Sequence, residues 1–91
     1  MTVKSKAITI KGKVQQVGFR YFTLQAANRF GISGFVKNQV DGSVYIEAEA
    51  EESKLELFVD WCKQGPDHAR VDETRIDENP VMNYSGFRVS T

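Results

Sequence analysis

Between Val14 and Phe19 the chain changes its apolar period. From Ala7 to Val14 the residues alternate: Ile8, Ile10, Gly12 and Val14 share one parity, and Thr9, Lys11 and Lys13 share the other. That pattern predicts a strand with one buried face. From Arg20 to Phe30 the spacing becomes helical, with Phe19, Phe22, Ala26 and Phe30 on one apolar face and Gly31 at the C-terminal cap. The turn between them, Gln15-Gln16-Val17-Gly18, is short, polar and contains glycine. A strand that enters a helix this way leaves backbone N–H groups unpaired at the positive end of the helix dipole. Arg20 adds a guanidinium there, so the segment predicts a site for phosphate or a similar oxyanion.

The same alternation of periods recurs. Ile32 to Asn38 returns to period two, and Asp41-Gly42 marks a hairpin leading into a strand from Ser43 to Ala50. In that strand Val44, Ile46 and Ala48 point inward, and Tyr45, Glu47 and Glu49 point outward. Glu51 to Lys63 reads as a second helix with an acidic first turn and an apolar face of Leu55, Phe58, Val59 and Cys62, stopped by Gly65-Pro66. Trp61 and Leu57 fall beside that stripe. Ala69 to Asp77 is a further strand in which Val71 breaks the parity of Thr74 and Ile76, predicting a bend, a bulge or a late start. Asn79-Pro80 ends it, and Phe87 with Val89 suggests a short last strand. The order βαββαβ is that of a ferredoxin-like α+β sandwich, an antiparallel sheet with both helices on one face. The opposite face would carry Thr9, Lys11, Phe35, Lys37, Tyr45 and Glu47, and the acidic run Glu47, Glu49, Glu51 and Glu52 reads as solvated.

At 91 residues the chain predicts one domain, 1–91, able to bury a core without a disulfide or metal staple. Twelve basic residues balance twelve acidic ones, which disfavours a nucleic-acid-binding surface. One cysteine, Cys62, permits no internal disulfide, and with a single histidine, His68, there is no zinc-binding set. No apolar run is long enough to span a membrane and the N-terminus lacks a signal core, so the expectation is a cytoplasmic chain. Nothing indicates an obligate interface, and a monomer is expected.

Two motifs in this frame resemble the acylphosphatase family. Its first signature, G-x-V-Q-G-V-x-F/Y-R, is matched by Gly12-Lys13-Val14-Gln15-Gln16-Val17-Gly18-Phe19-Arg20. Its second, G-aromatic-small apolar-basic-N followed after three residues by G-x-V, is matched by Gly34-Phe35-Val36-Lys37-Asn38 and Gly42-Ser43-Val44. Gly65-Pro66, Ala69-Arg70-Val71-Asp72 and Ser85-Gly86-Phe87 are similar to the family's downstream pattern, so the resemblance covers nearly the whole chain. It implies a stand-alone enzyme that hydrolyses the carboxyl–phosphate bond of acyl phosphates, releases inorganic phosphate and needs no metal or cofactor. It further implies that the turn of Gln15, Gln16, Val17, Gly18, Phe19 and Arg20 binds the phosphate, that Arg20 is catalytic, and that Asn38 is catalytic by holding the attacking water.

The chain departs from the signature at Gln16, where the family usually has glycine. If that position takes a positive φ, glutamine costs on the order of 1 kcal/mol. The alternative reading is a non-catalytic or weakly active ferredoxin-like module that binds phosphate or nucleic acid, with Phe35 and Tyr45 available to stack bases.

Overall fold

A computed structural model describes residues 2–90. The elements run β1 (Val3–Lys13), α1 (Phe19–Phe30), β2 (Ser33–Asn38), β3 (Val44–Glu51), α2 (Glu52–Gln64), β4 (Arg70–Asn79) and β5 (Phe87–Val89). The sheet order is β4-β1-β3-β2-β5. Four strands pair antiparallel, as the period pattern predicts. The short β5 adds to the outer edge of β2 in parallel, so the complete sheet is mixed rather than purely antiparallel. Among the described residues no helix is long and apolar enough to cross a membrane.

Both helices pack on one face of the sheet, α1 over β2 and β5, and α2 over β1, β3 and β4. Between the layers lie Ile8, Ile10, Val14, Phe19, Val36, Val44, Ile46, Leu55, Phe58 and Cys62, all essentially inaccessible. Each such aliphatic or aromatic side chain contributes roughly 1.5–3 kcal/mol over leaving it exposed. Phe19 and Phe58 meet across the helix pair through Trp61, whose ring is edge-on to Phe19 at 5.9 Å and stacked on Phe58 at 6.3 Å.

The buried stripe of α1 differs from the expected one. It runs through Phe19, Thr23, Ala26 and Ala27, while Phe22 is exposed at the edge of the stripe. Thr23 is tolerated inside because its hydroxyl donates to the carbonyl of Phe19 at 2.7 Å. The parity break at Val71 has a structural cause. Lys11 pairs with Glu73 and Gly12 with Val71, so Asp72 is an extra residue that bulges from β4. Gly12 has φ 137°, and a Cβ there would collide with the carbonyl of Arg70, so this crossing needs glycine.

The outward face of the sheet is not open. After β4 the chain crosses it, and the outward Glu49 is only 4% exposed. Its carboxylate accepts the N–H of Met82 and, at 3.1 Å, the N–H of Tyr84. Glu47 beside it accepts the hydroxyls of Tyr84 at 2.6 Å and Tyr45 at 2.7 Å, and the Asn79 amide at 3.2 Å. Tyr84 also packs edge-on against Phe35 at 5.8 Å. The expectation of a solvated acidic run therefore fails at Glu49, which is a buried anchor for the 80–86 segment.

Candidate active site

The site forms where three elements end together. β1 delivers the turn of residues 14–18, α1 begins at Phe19, and β2 ends at Asn38. Phe19 is buried under the turn, which fixes where the helix starts and therefore where Arg20 projects. Gly18 is the N-cap residue, with φ 76° and ψ 15°, and its carbonyl accepts the first helical bond from Phe22 at 3.0 Å. Among the described residues the N–H groups of residues 16–21 donate to no backbone acceptor. They constitute a row of free donors at the positive end of α1.

Gln16 takes φ 62°, the left-handed conformation that glycine adopts without strain. The condition attached to this position is thus met, and the cost of about 1 kcal/mol applies. The residue is exposed.

A cleft of about 260 Å³ opens at this corner. It is lined by Gln16, Gly18, Phe19, Arg20, Tyr21 and Asn38, with Val14 and Val89 completing the wall. The structure thus brings together Arg20 and Asn38, which lie on different elements. Arg20 Nη1 donates to the carbonyl of Ser90 at 3.2 Å, which holds the guanidinium at the cleft while a five-donor group retains further N–H groups for an anion. Asn38 Oδ1 is the one buried side-chain polar atom among the described residues that meets no donor. An unpaired buried acceptor costs on the order of 1–3 kcal/mol, so its retention calls for an explanation.

Two of the six residues expected in the phosphate-binding turn, Gln15 and Val17, do not line the cleft. Val17 packs against the core. Gln15 turns to the β2–β3 hairpin, where its Nε2 donates to the carbonyls of Gln39 and Ser43, both at 2.8 Å. Sequence reasoning passed over Tyr21 and Val89, which line the same cleft; neither has a chemical signal in the sequence beyond its position beside Arg20 or in the last strand. Among the described residues no group of histidine, cysteine or carboxylate side chains could hold a metal ion. Cys62 is far inside the core, and burial pushes its thiol pKa well above the usual range.

A family model described as Acylphosphatase matches residues 6–89. The chain is 52% identical to an acylphosphatase of Mannheimia succiniciproducens, over 89% of this chain and 84% of that protein. It is 42% identical to an acylphosphatase of Lactiplantibacillus plantarum, over 93% of this chain and 98% of that one. Among solved structures it is similar to the acylphosphatase from Bacillus subtilis, with a TM-score of 0.93 and 33% identity, over 99% of this chain and 100% of that chain. A matching fold with this turn and these two side chains at one corner leaves little of the chain unaccounted for, and the match over 6–89 decides the question: the chain belongs to the acylphosphatase family.

Proposed function

We propose that the turn of residues 15–20, with Arg20 and Asn38, carries the reaction of the family in this chain, the hydrolysis of an acyl phosphate to a carboxylate and inorganic phosphate. The observation that carries this reading is the meeting of Arg20 and the unpartnered Asn38 carboxamide in one cleft at the start of α1. The free N–H groups and the guanidinium take the non-bridging oxygens of the phosphoryl group. They stabilise its charge as the bond to the carboxylate loosens.

Asn38 orients the water. No protein donor fixes the inward direction of its Oδ1. A half-turn of the carboxamide exchanges oxygen for nitrogen and presents an acceptor to the cleft. A water held there donates one hydrogen to Oδ1 and directs its lone pair at phosphorus. The water oxygen bonds to phosphorus, the bond from phosphorus to the carboxyl oxygen breaks, and the electron pair leaves with the carboxylate. The amide is no base, and among the described residues the cleft lining offers no histidine or carboxylate. The water's proton therefore passes to a phosphate oxygen or to solvent. The carboxylate is a good leaving group, so neither a strong base nor a general acid is required.

The nucleic-acid reading loses its surface, because Phe35 and Tyr45 lie against each other and Phe35 lies under Tyr84 rather than open to a base. The balanced charge and lone cysteine support a single-domain monomer working in the cytoplasm. The test is a pair of variants assayed on benzoyl phosphate. Arg20→Ala is expected to abolish turnover and weaken inhibition by inorganic phosphate; Asn38→Ala is expected to abolish turnover and leave that inhibition largely intact. Equal weakening in both would refute the division of labour.

A further inference from the structure

The phosphoryl group accounts for only one end of the cleft. An acyl phosphate held by the turn and Arg20 must direct its acyl half outward, past whatever forms the mouth. Two large side chains stand there. Tyr21, the residue after Arg20 on α1, is 60% exposed, and Val89 on β5 is 39% exposed. Both line the same cleft as Arg20 and Asn38. Neither belongs to the buried core. The hydroxyl of Tyr21 makes no hydrogen bond among the described residues, and its ring lies in an edge-to-face pair with Phe22, at 5.4 Å. Phe22, itself exposed, extends the apolar surface away from the mouth. Single exposed aromatics are common and need no cause. Here the two exposed apolar groups border the cleft that holds the guanidinium, and among the described residues no carboxylate lines it.

We infer that Tyr21 and Val89 form an apolar shelf for the acyl group, so that the enzyme discriminates in favour of aryl and bulky apolar acyl phosphates over acetyl phosphate. This rests on the proposed phosphate site. The shelf acts only on the acyl half: a ring laid against Tyr21 loses apolar surface to water, whereas an acetyl methyl is too short to cover it. Because Tyr21 lies at the mouth and outside the core, removing its ring leaves the fold and the phosphate cradle in place.

The experiment compares kcat/KM for benzoyl phosphate and acetyl phosphate in the parent protein, Tyr21→Phe and Tyr21→Ala, with inhibition by inorganic phosphate as an internal control. In Tyr21→Ala, kcat/KM for benzoyl phosphate is expected to fall by about tenfold, mostly through KM, while that for acetyl phosphate stays within about twofold. Inhibition by inorganic phosphate is expected to be unchanged, and Tyr21→Phe to retain the parent preference. Equal losses on both substrates, or no loss on either, would overturn the inference while leaving the phosphate site standing. A parent protein that hydrolyses neither substrate would instead overturn the proposed function itself.

Discussion

The side-chain amide of Gln15 reaches out of the turn between β1 and α1 and donates to the carbonyl of Gln39 at 2.8 Å, and its bond to Ser43 at the same length completes a tie across the β2–β3 hairpin. Gln39 directly follows Asn38. One side chain thus couples the turn proposed to bind phosphate to the strand end proposed to hold the water. In the proposed site Gln15 is a positioning residue, its side chain engaged by the hairpin and absent from the cleft lining. Gln15→Ala is expected to cost about 1–2 kcal/mol of stability through the lost hydrogen bonds. It is also expected to lower kcat by about tenfold or more, since small misplacements of aligned groups are expensive in rate. Urea unfolding and steady-state kinetics on the same preparation check both; an unchanged kcat would show that the tie has no catalytic consequence.

Gln16 yields a prediction of opposite sign. Its φ of 62° costs a glutamine more than it costs a glycine. Glycine in turn loses more chain entropy on folding, which offsets about 0.4–1 kcal/mol of the gain. The net expectation for Gln16→Gly is a stabilisation of roughly 0.5 kcal/mol with turnover retained, because in the proposed site the turn acts through backbone N–H groups. Gln16→Val is expected to destabilise by more than 1 kcal/mol, since branched side chains resist a positive φ, an estimate on the order of that for a strained backbone position. The order of urea midpoints, glycine above glutamine above valine, is the check, and a reversed order would contradict a left-handed Gln16.

These two residues also mark how far the sequence could be read. Residues whose chemistry is local were legible: the period change placed β1 and α1, Gly31 and Gly65 ended the helices, and Arg20 and Asn38 meet where the strand order brings them. The off-parity Val71 announced an irregularity, a bend, a bulge or a late start, and the register makes it a bulge at Asp72. What escaped depends on partners distant in the chain. Glu49 looks like any outward carboxylate until Met82 and Tyr84 arrive to use it. Phe22 looks like core because its spacing fits, yet the helix is rotated so that Thr23 goes in and Phe22 stays out. A polar residue satisfied by its own helix cannot be distinguished from a surface one by periodicity alone. Tyr21 and Val89 acquire meaning only when β5 docks beside α1.

Cys62 is wholly buried between α2 and the sheet, and burial raises its pKa far enough that the thiolate is suppressed at any physiological pH. Native protein is expected to resist alkylation by iodoacetamide, with modification following the population of globally unfolded molecules across a urea titration. Mass spectrometry of the labelled fraction measures this directly. Rapid labelling without denaturant would mean that α2 opens locally from the sheet.

The Glu47 cluster predicts how stability depends on pH. Burial alone would raise the pKa of Glu47, but the hydrogen bonds from Tyr84, Tyr45 and Asn79, with the charge of Lys37, outweigh it and leave it lowered. A lowered carboxylate contributes stability above its ordinary pKa, and that contribution is lost as pH falls through the folded-state value. The two phenols move the other way. The bond to Glu47 is the main cause for Tyr84, and burial followed by the same bond for Tyr45, each rising from 10.0 to about 12. The folded state therefore favours the neutral phenols: their contribution is fully present below pH 10 and is lost as pH rises towards 12. Stability is expected to hold level between the two limbs and to decline at both ends. Tyr84→Phe removes one donor from Glu47 and one titrating phenol, so it is expected to shift the acid limb to higher pH and to shallow the alkaline limb. Urea unfolding at a series of pH values in both proteins measures the two limbs independently. If only the overall stability drops, with both limbs unmoved, the carboxylate is not held by Tyr84 in solution.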